Sequence, residues 1–360
     1  MDAQLCHSPH SFIKLASESN KCLSPGTKRP ASGSMVFPVS HCESLMSHSN
    51  EPASGDLLTV RIGCAFTFQA VQPVPLLLNF KPRRGKAQSV QEEKLVMGPD
   101  LPTEEFEDRH GNILYRLLLA PGANEIRHDA IVAIQPHPDN YGFPMGAAIS
   151  PAEVPTDLLR YTLPSRYCDS DKLLDFARQQ FGGFEAGQSQ VQAICDWVHG
   201  NIAYRFGSGS PNLSAWDVWQ RRHGVCRDFA HLTVALCRAL NLPARYVTCH
   251  LPDIGFLDPE SPMDFHAYAE VYLGDRWYSY DARFNVPRIG RIKISSGCDA
   301  VDCAFATVFG PAQMTSFVVW AYQIAPGTVT VGDEIDLSKR LDGTLEIRGL
   351  SAAAHSIGRI

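Results

Sequence analysis

Residues 264–282, DFHAYAEVYLGDRWYSYDA, constrain the fold of this chain more than any other segment. Ala267, Ala269, Val271 and Leu273 alternate with His266, Tyr268, Glu270 and Tyr272, which is the period of a strand with one apolar face. Gly274-Asp275 then supplies a hairpin turn, and RWYSY returns. Few registers are open. A two-residue loop at Gly274-Asp275 sets His266 opposite Arg283 and Tyr268 opposite Asp281, making Asp281 the diagonal neighbour of His266. A loop shifted by one residue sets Asp281 directly opposite His266. Both registers leave imidazole and carboxylate on one face, within reach of each other. An aspartate so placed selects the tautomer of a histidine and stabilises its imidazolium.

A histidine held this way is a base in search of a nucleophile, and GVCRDFAHLTVALCRALNLPARYVTCHL (224–251) contains one. Gly224 ends one helix and Cys226 stands at the start of the next. That helix carries the stripe Phe229, Leu232, Thr233, Leu236, Cys237 and Leu240, and stops at Asn241-Leu242-Pro243 before a strand. A cysteine at a helix start faces unpaired N–H groups and the positive end of the dipole, so its thiol pKa is expected to fall. The same N–H groups are placed to hold an oxyanion. The roles close as a triad: Cys226 nucleophile, His266 base and acid, Asp281 orienting group. Asp228, in the first turn, is expected to be structural, and Glu270 to be an exposed strand residue or a member of a local salt bridge. Cys195, Cys237 and Cys249 read as buried and inert. His223, Cys226, His231, Cys249 and His250 carry an H-x2-C-x4-H spacing without a CxxC or HExxH pattern, so no zinc site is expected. No calcium-loop alternation is visible either. No metal or cofactor is expected.

Around this centre the chain divides by texture. Residues 1–55 hold twelve Ser and five Pro without periodicity. They read as a disordered tail or as a mis-assigned start, with Met35 and Met46 as alternative initiators. Residues 56–150 alternate short apolar runs with Pro, Gly and Asn punctuation and predict a β-rich domain, with 84–108 a loop or exposed strand connection. Residues 155–285 form the core, entered by helices over 170–183, 189–206 and 214–224, the last capped by Ser214. Residues 286–350 predict strands, including TLEIRGL, that extend the core and pack on it; the final dozen residues are expected to be loose. The net charge of −6 argues against a nucleic-acid or anionic-membrane partner. The chain lacks a run of about 18 apolar residues that would span a bilayer. Eleven scattered cysteines without CxxC pairs read as free thiols in a reducing cytosol, so a cytoplasmic location is expected.

Three motifs in order carry a family resemblance: G-x-C-x-D-x-A at 224–230, H-A-aromatic-x-E at 266–270 and W-x-x-x-D at 277–281. With ALCRALNLPARYV between them, they resemble the transglutaminase-like superfamily, whose core is a papain-like α+β fold with a cysteine triad. LTVRIGCAFTFQAVQPV and DRHGNILYRLLLAPGANEIRHDAIVAI are similar to the β-rich, sandwich-like N-terminal domain of its bacterial members, and DARFNVPRIGRIKI to their C-terminal extension. Tyr268 stands where Trp is commoner in the family, and Arg227 where Gln is frequent. The resemblance implies thiolate attack on an amide and a thioester intermediate in a protein or peptide substrate. Resolution by water makes the protein a peptidase or amidase; resolution by an amine makes it a transglutaminase. A non-catalytic scaffold that binds a peptide or partner is the reading of another class.

Overall fold

The structure is a computed structural model that describes residues 13–15, 57–85, 87–98, 101–256 and 263–342. The expected tail, apart from 13–15, the expected strand TLEIRGL at 344–350 and the final dozen residues lie outside the described residues. In chain order, β1 (Ile13–Leu15), β2 (Leu58–Ala70), β3 (Val74–Leu78), β4 (Gln88–Met97), β5 (Thr103–Glu107), β6 (Ile113–Leu119) and β7 (Gly122–Ile134) come first. Helices α1 (Leu174–Phe181) and α2 (Gln188–Asn201), strand β8 (Ala203–Tyr204), α3 (Ala215–Arg221), β9 (His223–Gly224) and α4 (Cys226–Ala239) follow. The remainder is β10 (Ala244–His250), β11 (His266–Leu273), β12 (Arg276–Tyr280), β13 (Ile292–Gly297), β14 (Ala306–Val308) and β15 (Ala312–Ile324). Among the described residues no helix is long and apolar enough to cross a membrane.

The β-rich region is two sheets, ordered β1-β14-β3-β6-β5 and β15-β2-β7-β4. Phe66 and Phe68 of β2 meet Leu76 and Leu78 of β3, Leu117 of β6 and Phe305 in one apolar core between them. The polar stretch 84–108 becomes the exposed strands β4 and β5. Residues after 286 do not form one extension. Strand β13 joins the core sheet, whereas β14 pairs with β3 and β15 with β2 along almost its whole length. The reason is the open flank of β2: its other edge is taken by β7, and the unpaired N–H and C=O groups along this 13-residue strand need a partner of equal length.

The core is α+β, as its resemblance implied. Its sheet runs β12-β11-β10-β13, and α4 lies on β10 and β11. The apolar face of β11 (Ala269, Val271, Leu273) packs with Phe229, Leu232, Leu236 and the helical residues Ile194 and Val198 of α2. Three helix ends differ from the periodicity: α3 stops at Arg221, where Arg222 turns left-handed at φ 60°, short of Gly224. Helix α2 stops at Asn201 because the next N–H groups join a parallel ladder: Ala203 donates to the Arg222 carbonyl and Arg205 to the Gly224 carbonyl, both at 2.9 Å. Helix α1 starts at Leu174 rather than at 170, since residues 170–173 form a 3-10 turn ahead of it. Ser214 does cap α3: its N–H donates to Asp217 Oδ2 at 2.9 Å and its oxygen accepts from the Asp217 N–H.

Helix α4 is buried on every side, not along one stripe. Its polar residues are sheathed by distant backbone. Arg238 donates to the carbonyls of Ala244, Leu163 and Cys298, and His231 Nε2 accepts from the Ala300 N–H at 3.1 Å. These bonds offset part of the cost of that burial, while Arg227 Nη2 and His231 Nδ1 stay buried without a hydrogen-bond partner among the described residues.

Candidate active site

The hairpin adopts the first of the two registers. Ala269 faces Tyr280 and Leu273 faces Arg276, with Gly274 at φ 62° in the two-residue turn that a left-handed residue permits. Asp281 therefore follows the last ladder pair, diagonal to His266, and its Oδ2 accepts from His266 Nε2 at 2.7 Å. Oδ1 accepts from the Arg283 N–H at 3.2 Å. Burial works to raise the Asp281 pKa, but His266 and Arg291 outweigh it, and the carboxyl sits far below the usual carboxylate range. Burial also lowers the pKa of the His266 imidazole, and Asp281 offsets this only in part, so the ring rests neutral.

Cys226 opens α4 at the same end of the sheet. Its Sγ lies 4.0 Å from the Phe265 carbonyl oxygen, and the Ala267 N–H also reaches the sulfur. The thiol thus rests against the peptide groups on either side of His266. With Nε2 committed to Asp281, Nδ1 is the ring nitrogen that the carboxylate does not engage.

The expectation of a lowered thiol pKa does not hold. Burial pushes the Cys226 thiol up to about 12, against the opposing pull of Arg283 and the Ala267 N–H. Cys226 is only 7% exposed, and a charge on its sulfur loses its water. The helix start is also already occupied by an anion. Asp228 Oδ2 accepts from the Val225 N–H at 3.1 Å, and Asp228 Oδ1 from Arg227 Nη1 at 2.9 Å. Asp228 is structural, as expected. Of the two places expected for Glu270, the salt bridge holds: it is buried between Arg245, at 2.6 Å, and Lys293.

Several neighbours of the pair escaped the sequence. Arg291 Nη2 donates to Asp281 Oδ2 at 2.8 Å, and its Nε to Asp139 at 2.9 Å. Nothing local marks either residue. Phe284 lies 5.3 Å from the His266 ring, and Arg283 covers both Phe284 and Tyr204 at 4.5 and 3.6 Å. Asp264, two residues before His266, has a carboxyl pushed by burial up to about 7, and its charge bears on Cys226. The D-x-H spacing was a visible signal for it. Among the described residues no three His, Cys, Asp or Glu side chains are grouped to hold a metal ion, and the described cysteines are all free. His250 has no partner at either ring nitrogen among the described residues.

Comparison with known proteins agrees with this architecture. The model of the transglutaminase-like superfamily matches residues 175–282. A solved structure of a candidate cysteine protease from Cytophaga hutchinsonii is 33% identical, with a TM-score of 0.68, over 76% of this chain and 93% of that one. An uncharacterized protein of Mycobacterium bovis is 26% identical over 262 residues, 67% of this chain and 77% of its own. Another, from Mycobacterium leprae, is 29% identical over 123 residues, 32% of this chain, and the match spans 42% of that protein's length. One-third identity sustained over nearly all of a solved relative, with the family model lying on the helices and hairpin that carry Cys226, His266 and Asp281, makes this chain a member of the transglutaminase-like superfamily.

Proposed function

We propose that the protein cleaves a peptide or isopeptide amide through a thioester on Cys226, as a transglutaminase-like cysteine hydrolase. The observation that carries this reading is the 2.7 Å bond from His266 Nε2 to Asp281 beside a thiol that lies against the peptide groups flanking His266. The Cytophaga relative, described as a candidate cysteine protease, supports the same chemistry. Thiol and imidazole both rest neutral, so the proton moves as the substrate arrives rather than before. Sγ adds to the amide carbonyl carbon while its proton passes to Nδ1. Collapse of the tetrahedral adduct breaks the C–N bond, and the amine leaves with the proton from His266. Water then adds to the thioester carbonyl, giving a proton to His266, and the C–S bond breaks as sulfur takes that proton back. Amide and water become acid and amine. Asp281 offsets the positive charge on the ring at each transfer.

The test is mass spectrometry of the full-length protein with a peptide library. Cleaved peptides, a transient acyl adduct on the Cys226 peptide and the loss of both in Cys226→Ala are expected. Turnover that survives Cys226→Ala overturns the reading. A labelled primary amine in the same reaction separates outcomes: its incorporation into glutamine peptides in place of hydrolysis would make the protein an acyltransferase.

A further inference from the structure

Asp281 cannot hold a neutral histidine on its own account. A buried carboxylate with a neutral imidazole as its sole partner favours proton uptake by one of the two, and either outcome removes the base. The structure contains the compensating charge. Asp281 Oδ2 accepts from His266 Nε2 at 2.7 Å and from Arg291 Nη2 at 2.8 Å, so one oxygen is shared between imidazole and guanidinium. Arg291 is itself fixed. Its Nε lies 2.9 Å from both oxygens of Asp139, and its guanidinium lies over the Tyr268 ring at 4.5 Å. Asp139 is held in turn by Arg288: the Asp139 N–H donates to the Arg288 carbonyl at 2.9 Å, and the Arg288 N–H donates to Asp139 Oδ2 at 2.8 Å. The next residue, Asn140, exchanges two hydrogen bonds with the Ser279 backbone at 2.8 and 2.9 Å, which fastens this segment along β12.

We infer that Arg291, anchored by Asp139, is a positioning residue for Asp281, and that the segment leading from β7 into the core therefore completes the catalytic set. The inference rests on the reading of His266 and Asp281 as a working pair. Arg291 supplies a permanent positive charge that leaves Asp281 ionised while His266 stays neutral. Its planar fork joins two carboxylates on different edges, which a single ammonium cannot do. The charged groups facing Asp281 are His266, Arg291 and, across Arg291, Asp139 and Arg288; Arg283 meets it through its backbone N–H. The outer anchor comes from 152 residues away, so a core excised at the limits of the family match, 175–282, lacks both parts of the clamp.

A double-mutant cycle in the full-length protein tests this. Arg291→Gln should lower kcat for peptide cleavage by about tenfold to a hundredfold with KM held, the range for losing a group that orients a reacting one. In an Asp281→Asn background the same substitution should cost nothing further, and Arg291→Lys should recover only part of the loss. Asp139→Asn should reproduce the effect more weakly and serves if Arg291→Gln does not fold. Additive losses, or a change confined to KM, overturn the inference. A second readout is independent of turnover. The downfield proton resonance of His266 Nε2–H, identified by its loss in Asp281→Asn, should exchange at least about tenfold faster in Arg291→Gln. An unchanged resonance overturns the clamp even if the proposed chemistry stands; a changed resonance in a protein that cleaves no peptide leaves the clamp and removes the chemistry.

Discussion

Gly224 shows how the G-x-C motif works, and replacing it is the sharpest test of the site's construction. Its backbone is not left-handed, so an alanine is conformationally permitted there; what excludes a side chain is space. A Cβ would stand 2.6 Å from Asp228 Cβ and 2.7 Å from Asp228 Oδ2. Asp228 cannot retreat freely, because it is buried and its carboxylate holds the Val225 N–H at 3.1 Å and Arg227 Nη1 at 2.9 Å. Making room loosens both bonds. Hydrogen bonds to charged groups contribute about 1.5–3 kcal/mol each, so Gly224→Ala should cost about 2–4 kcal/mol. Urea unfolding with an unchanged m value measures this directly. Because Val225 and Asp228 also place Cys226, peptide turnover should fall under conditions where the variant is fully folded. A loss below about 1 kcal/mol with normal turnover would refute the argument that Asp228 occupies the glycine's space.

Three further outcomes follow from buried charge. Burial works to raise the Glu270 pKa, but Arg245 and Lys293 outweigh it and hold the carboxyl down at about 2. Its stabilisation is therefore present above the ordinary value of 4.5 and lost as pH falls toward 2, so Glu270→Gln should be less stable than wild type at pH 7, with the gap closing over that window. His250 is the opposite case: burial and then the charge of His128 hold its pKa down at about 3, and its ring nitrogens are unpartnered among the described residues. The unfolded chain takes up a proton near pH 6.5 that the folded ring refuses, so His250→Leu should gain about 1–3 kcal/mol in denaturant titrations, and the gain should widen as pH falls from 6.5 toward 3. A gain that stays flat with pH would contradict the neutral, unpaired ring. In the β-rich region Arg61 meets Asp129 through two hydrogen bonds at 2.7 and 3.0 Å, both side chains fully buried. Arg61→Met removes the counter-charge of a buried carboxylate that keeps only the Trp320 and Gly332 N–H donors, and should cost about 3–5 kcal/mol, measured as a fall in the urea midpoint.

The site was legible in the sequence wherever its geometry is local. Alternation along β11, a two-residue turn at Gly274-Asp275 and the return strand bring His266 and Asp281 together with no help from the rest of the fold, since a hairpin's register follows from its turn. The start of α4 at Cys226 is equally local, set by Gly224 before it and the apolar run after it. The thiol's protonation was not legible. A dipole can be read from position in a helix, but desolvation depends on everything that closes over the sulfur, and here it wins.

The same division runs through the fold. The strands of residues 57–134 outside 84–108, the bodies of the helices ahead of Cys226 and the hairpin are written in short-range periodicity, and the sequence by itself determined them. It could not assign β14 and β15 to the β-rich sheets in preference to the core, because an apolar strand fits any open edge and the vacant edge of β2 exists only once the chain has folded. It could not show α4 buried on its polar side either, since the carbonyls that satisfy Arg238 belong to Leu163 and Cys298 as well as its neighbour Ala244. Nor could it find Asp139 and Arg291, which meet across 152 residues. Tertiary structure alone decided which charges are dry and which partners neutralise them, because burial and long-range pairing are properties of the closed chain and leave no period in the sequence.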